Sequence, residues 1–189
     1  PLLTGLLGSK GEATLGGALA ANLSGPRRVR AGAARDHLLG FEAVTGRGEL
    51  MKAGGKVVKN VTGYDLSKLM AGSWGTLAVF TEVTIKVLPA ARTEVTMLWF
   101  GLDDRRAGEA MTQAMRSVAE VSGAAHLPTG TAARAPLRGE MSVTAFRIEG
   151  FAASVAARVD SLTNALAGFG RADQLDAAHS RAFWNQIGE

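Results

Sequence analysis

A chain of 189 residues with 47% hydrophobic composition is long enough to bury one core or two small ones. It contains no cysteine, which excludes disulfides, thiolate metal sites, cysteine-ligated iron–sulfur clusters and a cysteine nucleophile within it. Its net charge of +4 is scattered and its sparse aromatic residues (6%) are not interleaved with the basic ones, which argues against a nucleic-acid platform.

In chain order, residues 1–13 read as loop or weak strand. Thr14 reads as the N-cap of a helix over Leu15–Leu23 that carries Gly16 and Gly17, glycines that are costly in a helix unless something must approach closely. Residues 27–36 read as a basic loop. His37–Thr45 and Glu49–Ala53 form a hairpin around Gly46-Arg47-Gly48. The segment from Lys56 to Gly63 is expected to be irregular, with Asp65 capping a short helix over Leu66–Met70. A glycine corner follows at Gly72–Gly75 around Trp74, which is expected to be buried. The run Leu77–Leu88 reads as a strand with Val79, Thr81, Val83, Ile85 and Val87 on one face.

The pattern changes after Pro89. Strands are expected at Glu94–Leu102, Ala124–Pro128, Met141–Glu149 and Ala172–Leu175, and helices at Asp103–Val121 and Ala152–Ala167. The order β-α-β-β-α-β is the split βαβ, or ferredoxin-like, arrangement. Thr129–Pro136 reads as a polar loop and Asp176–Ile187 as a further helix bearing Phe183 and Trp184.

No catalytic constellation stands out, so no catalytic residue is assigned. Ser24, Asp36 and His37 are close in sequence, which is not triad geometry. His37, His126 and His179 lack metal-ligand spacing, and no metal is expected. Asp103-Asp104 reads as a helix start, and Asn60, Tyr64 and Asp65 as a turn and cap with a partly buried Tyr. Neither a P-loop nor a Rossmann glycine fingerprint is present. The glycine corners at 16–17, 54–55 and 72–75, with the basic loop, fit a backbone-lined site for an anionic ligand such as a pyrophosphate.

Four stretches carry a resemblance: Thr14–Pro26 (TLGGALAANLSGP), Arg35–Gly40 (RDHLLG), Gly54–Leu77 (GGKVVKNVTGYDLSKLMAGSWGTL) and Thr81–Pro89 (TEVTIKVLP). In order and spacing they resemble the FAD-linked oxidases of the vanillyl-alcohol oxidase/p-cresol methylhydroxylase (PCMH) type, in particular the FAD-binding subunit of glycolate oxidases. The resemblance implies an α+β fold: residues 1–90 as the C-terminal part of a PCMH-type FAD-binding domain, residues 91–175 as a ferredoxin-like cap, and residues 176–189 as the start of a truncated helical extension. The family's N-terminal FAD subdomain is missing from this sequence, which opens at Pro1 without an initiator methionine and is expected to be a piece of a longer protein.

The resemblance further implies FAD as cofactor. Thr14, Gly16 and Gly17 would follow the flavin-to-pyrophosphate stretch, and Ala21, Asn22, Leu23 and Ser24 would line the cofactor near the flavin. Trp74, Gly75, Thr76, Leu77, Ala78, Val79 and Phe80 would touch it largely through main chain. Where the family reads G-T-L-G-I, Ala78 replaces the second glycine, and it is expected to crowd a close backbone approach. The implied activity is oxidation of a small 2-hydroxy acid, glycolate to glyoxylate, with electrons passed to partners: a second flavoprotein subunit and an iron–sulfur subunit. The alternative is a non-catalytic assembly subunit that docks a catalytic flavoprotein. No apolar run spans a membrane and no secretory signal is found, so a cytoplasmic location is expected, with membrane association at most through partners.

Overall fold

The β-rich segments after His37 are realised as a three-stranded antiparallel sheet, and those after Arg92 as a four-stranded one. The computed structural model describes residues 14–57, 63–132 and 141–188. The chain divides into two compact units: the described residues up to Gly25 with Ala31–Pro89, and Pro26–Arg30 with Ala90–Gly188.

The first unit begins with α1 (Leu15–Ala20). The expected basic loop is instead two single helical turns, α2 (Arg28–Ala31), of which Arg28–Arg30 belong to the second unit, and α3 (Ala34–His37). Then come β1 (Leu38–Thr45), β2 (Leu50–Gly54), α4 (Leu66–Met70) and β3 (Ala78–Ile85), with sheet order β2-β1-β3. The β1–β2 hairpin closes as expected: the Gly48 amide donates to the Thr45 carbonyl at 2.9 Å, and Gly48 takes the left-handed φ of 77° that such a bulged turn needs. Phe41, Ala43, Met70 and Ala78 form the core, with Phe80 and Val83 packed on it.

The face expected of β3 is observed only in its second half. Ala43 pairs with Phe80 but Glu42 pairs with Glu82, so Thr81 is an extra residue, a bulge. A bulge shifts the strand parity by one. Ala78 and Phe80 therefore face the core before it, Val83 after it, and Val79 is 66% exposed. Two further expectations fail: Tyr64 is 91% exposed and Trp74 is 61% exposed. Most of the irregular segment from Lys56 lies outside the described residues, as do residues 1–13.

The second unit has the expected order: β4 (Thr93–Phe100), α5 (Asp104–Arg116), β5 (Gly123–Leu127), a single turn α6 (Thr129–Ala132), β6 (Val143–Gly150), α7 (Ala152–Ala165) and β7 (Ala172–Leu175). Its sheet order is β5-β6-β4-β7. The start of the expected polar loop is thus helical, and its remainder lies outside the described residues. One sheet face presents Met97, Trp99, Phe146 and Ile148 to Ala107, Ala110 and Ala114 of α5 and to Val155 and Leu162 of α7. The other presents Leu98, Val143 and Ala145 to Phe183 and Trp184 of α8 (Ala177–Gly188). Helix α5 ends at Arg116, short of the expected Val121, and Val118 beyond it is 80% exposed.

Asp176 starts α8: its Oδ1 accepts from the Ala178 and His179 amides, each at 2.9 Å. The His179 amide bond, then the His179 side chain, hold this carboxyl below the usual Asp range. A depressed carboxyl contributes stability above its unfolded pKa of about 3.9, and that contribution is lost as pH falls through the lower folded value. Asp176→Asn is expected to lower the melting temperature at neutral pH, with the gap to wild type closing in acid. A gap of constant size from neutral to acid pH would count against this role for the charge.

Candidate functional site

The six-residue helix α1 is too short to persist alone. At its start the Thr14 hydroxyl accepts from the Gly17 amide at 3.0 Å, the cap expected from the sequence. At its end the Leu19 carbonyl accepts from the Asn22 amide at 2.9 Å, and the Ala20 carbonyl has no partner further along the helix; both also reach across the fold. They accept from the Gly72 amide at 3.2 Å and the Trp74 amide at 2.9 Å. The corner that makes this reach has Gly72 at φ 88°, Trp74 at 55° and Gly75 at 75°. The Thr76 hydroxyl donates to the Ser73 carbonyl at 2.6 Å and tightens it. At Gly72 an added Cβ would sit 3.4 Å from the Cβ of Asn22, and one at Gly16 would meet the Cβ of Phe80 at 3.7 Å. Thr14–Ser24 and Trp74–Phe80, distant in sequence, therefore lie against each other.

Side-chain roles along this surface differ. Leu15, Trp74, Leu77 and Val79 are exposed apolar groups, and Thr14, Gly17, Ser24, Gly75 and Thr76 are exposed beside them. Leu15 was not singled out from the sequence; an apolar residue at a helix start is common and gives no signal of its own. Gly16, Ala21 and Leu23 are half-buried. Asn22, at a left-handed φ of 51°, accepts on Oδ1 from the Arg35 amide at 2.9 Å, and the Ser24 hydroxyl accepts from the Ala34 amide at 3.0 Å. Both side chains thus cap α3. Phe80 is turned to the core, edge-on to Phe41 with ring centroids 5.5 Å apart. Ala78 is 6% exposed and part of that core, so its methyl group fills the interior.

The glycines at 54–55 serve a different purpose. A Cβ at Gly40 would lie 2.5 Å from the Gly55 nitrogen, and one at Gly54 would collide with the Leu39 carbonyl oxygen. That corner is a close backbone crossing. Ser24, Asp36 and His37 form no triad: both His37 ring nitrogens face main-chain carbonyls, Lys86 at 3.0 Å and Ala31 at 2.9 Å. Asp65 and Asp103 cap α4 and α5. Among the described residues no three metal-ligating side chains are gathered.

The second unit holds a buried polar cluster that the sequence did not announce. Arg147, 5% exposed, lies over the Trp184 ring at 4.8 Å with its Nε 3.5 Å from Glu149. Burial pulls its guanidinium below the usual value, against the opposing charge of Glu149. Glu94, Ser180, Thr96 and the Trp184 indole form a chain of hydrogen bonds of 2.7–2.8 Å beside it. Arg27 pairs with Glu149 and Glu94, and Arg30 with Glu120, so neither basic side chain is left without a counter-charge.

The surface around α1 is the one for which the resemblance implies cofactor contact. It offers exposed apolar side chains, and the Gly75 and Leu77 amides have no hydrogen-bond partner among the described residues. The Ser73 hydroxyl oxygen is buried beside them, also without one. Residues 2–54 match the model of the FAD binding domain family. The glycolate oxidase subunit GlcE of Escherichia coli is 51% identical over 86 residues, which are 46% of this chain and 25% of that protein. A D-lactate dehydrogenase of Archaeoglobus fulgidus is 44% identical over 86 residues, 46% of this chain and 19% of that protein. These matches span a quarter or less of either relative. Alkyldihydroxyacetonephosphate synthase superposes with a TM-score of 0.68 at 20% identity, over 93% of this chain and 36% of that one, a likeness of fold. Among the described residues no helix is long and apolar enough to cross a membrane. The resemblance to FAD-linked oxidases read from the sequence therefore holds, and the cofactor that goes with it is FAD.

Proposed function

We propose that this chain forms one wall of the FAD site in a flavin-dependent oxidoreductase acting on a small 2-hydroxy acid. In this reading residues 1–90 are the C-terminal part of a PCMH-type FAD-binding domain. Residues 91–175 are a ferredoxin-like cap, and the helix after Asp176 begins a further segment. The observation that carries the reading is the hydrogen-bonded union of the α1 end with the Gly72–Trp74 amides. It brings together the two stretches for which the resemblance implies cofactor contact.

Thr14, Gly16 and Gly17 on one side, and Trp74 to Val79 on the other, would hold the cofactor. Gly75 and Leu77 would donate their amides, and Leu15, Leu77 and Val79 would exclude water from its rings. Ala21, Asn22, Leu23 and Ser24 would contribute backbone, since Asn22 and Ser24 have their side-chain oxygens engaged at α3. Bound FAD supplies the acceptor for the hydride leaving the α-carbon of a 2-hydroxy acid. Relatives named for glycolate and D-lactate make those two acids the substrates to test, and a relative named as a subunit supports a multi-subunit assembly, in which the proposed partners are a second flavoprotein and an iron–sulfur subunit.

The test is titration of the protein with FAD, followed by flavin fluorescence, and then anaerobic addition of glycolate or D-lactate. Saturable binding and bleaching of the flavin's visible absorbance are expected. Binding without bleaching by any small 2-hydroxy acid would favour a non-catalytic assembly subunit, and absence of binding would overturn the reading.

A further inference from the structure

We propose that the indole of Trp74 is a stacking platform for a planar ring of bound FAD. This rests on the FAD reading above and goes beyond it, because the resemblance implies main-chain contact at this position. The chain has three tryptophans, and two are spent on packing: Trp99 is 1% and Trp184 4% exposed. Trp74 is 61% exposed. Exposure alone would say little, but its backbone adds a second observation. Trp74 holds a φ of 55°, a region that bulky side chains rarely adopt. Such a conformation persists only where the surroundings impose it, and it concentrates at ligand clamps. Here the surroundings are identifiable: the Trp74 amide is bonded to the Ala20 carbonyl, and Gly75 follows in the same left-handed region.

A residue chosen for the turn alone would be glycine or asparagine. A tryptophan at this φ, with its ring left in solvent, points to a use for the ring. The neighbours agree with that use. The Ser73 hydroxyl oxygen is buried without a partner, and the Gly75 and Leu77 amides have none among the described residues. The site thus presents an aromatic face next to unused polar groups. Aromatic side chains offer large rigid contact area at low entropic cost, and an electron-rich indole suits an electron-poor flavin or purine ring.

The test uses the intact protein with Trp74→Gly and Trp74→Phe. Glycine accepts the left-handed backbone, so its loss of the ring does not endanger the fold; phenylalanine keeps a ring. In wild type without flavin, acrylamide is expected to quench one emission component, and FAD is expected to extinguish that same component. Trp74→Gly is expected to bind FAD about tenfold more weakly, with Trp74→Phe in between. If wild type and Trp74→Gly bind FAD equally, the inference fails while the FAD reading stands. If acrylamide cannot reach Trp74 in the flavin-free protein, a protein segment covers it and the inference fails. If no variant and no wild-type sample binds FAD, both fall.

Discussion

Trp99→Ala will remove about 3–5 kcal/mol from the stability of the second unit, the range seen when a large aromatic side chain is deleted from a packed core. Trp99 is 1% exposed and sits among Met97, Leu102, Phe146 and Leu166. Its ring meets Phe146 edge-on with centroids 5.5 Å apart, an arrangement worth something beyond area alone. Its indole N–H donates to the Gly170 carbonyl at 3.1 Å. Alanine would leave a void bounded by a sheet on one side and two helices on the other, which cannot all close in. Trp99→Phe separates the terms: it keeps most of the apolar contact and deletes the hydrogen bond. Urea denaturation followed by far-UV circular dichroism reads both. A loss below about 1 kcal/mol for the alanine variant would mean that the core relaxes around the gap far better than close packing allows. Against a typical stability of about 5–15 kcal/mol, the expected loss leaves the unit marginal.

Gly54→Ala is expected to destabilise the first unit by about 2–4 kcal/mol, combining the left-handed penalty of an L-residue with steric overlap. Gly54 has φ 70°, and a Cβ there would strike the Leu39 carbonyl oxygen and the Gly40 Cα. Both obstacles are backbone, so no side chain can swing aside. The overlap falls on the β1–β2 pairing, where Gly40 stands opposite Gly54. Gly46→Ala is the control, since nothing lies within 4 Å of a Cβ there. Denaturation of the two variants side by side is the measurement; similar losses would show that the crossing at residue 54 is not the constraint.

The second unit was legible because its signals are local. Asp103 announces the start of α5, and runs rich in apolar and β-branched residues mark β4 and β6. The first unit was legible in its caps, Thr14 and Asp65, and in the hairpin at Gly48. What failed were inferences that need a partner from elsewhere in the chain. The bulge at Thr81 reverses which residues of β3 face inward before it, and only its pairing with β1 reveals that. Trp74 looked buried because tryptophan usually is. The union of α1 with the Gly72 corner is made by main-chain groups, which carry no side-chain signature at all. The same holds for Arg147, whose burial depends on α8, remote in sequence and laid across its strand.

The Leu19 and Ala20 carbonyls, capped by Gly72 and Trp74, tie the existence of the candidate site to the folding of its whole unit. A helix of six residues cannot wait as a preformed half-site for its partner, because its nucleation cost is recovered only when the corner docks. The site is therefore cooperative with the sheet: it is either assembled in full or absent. A ligand that binds there selects the folded unit and raises its melting temperature by mass action. Conversely, a substitution that loosens the unit far from the site, as at Gly54, weakens apparent affinity in proportion to the unfolded fraction it creates, without touching a single contact residue.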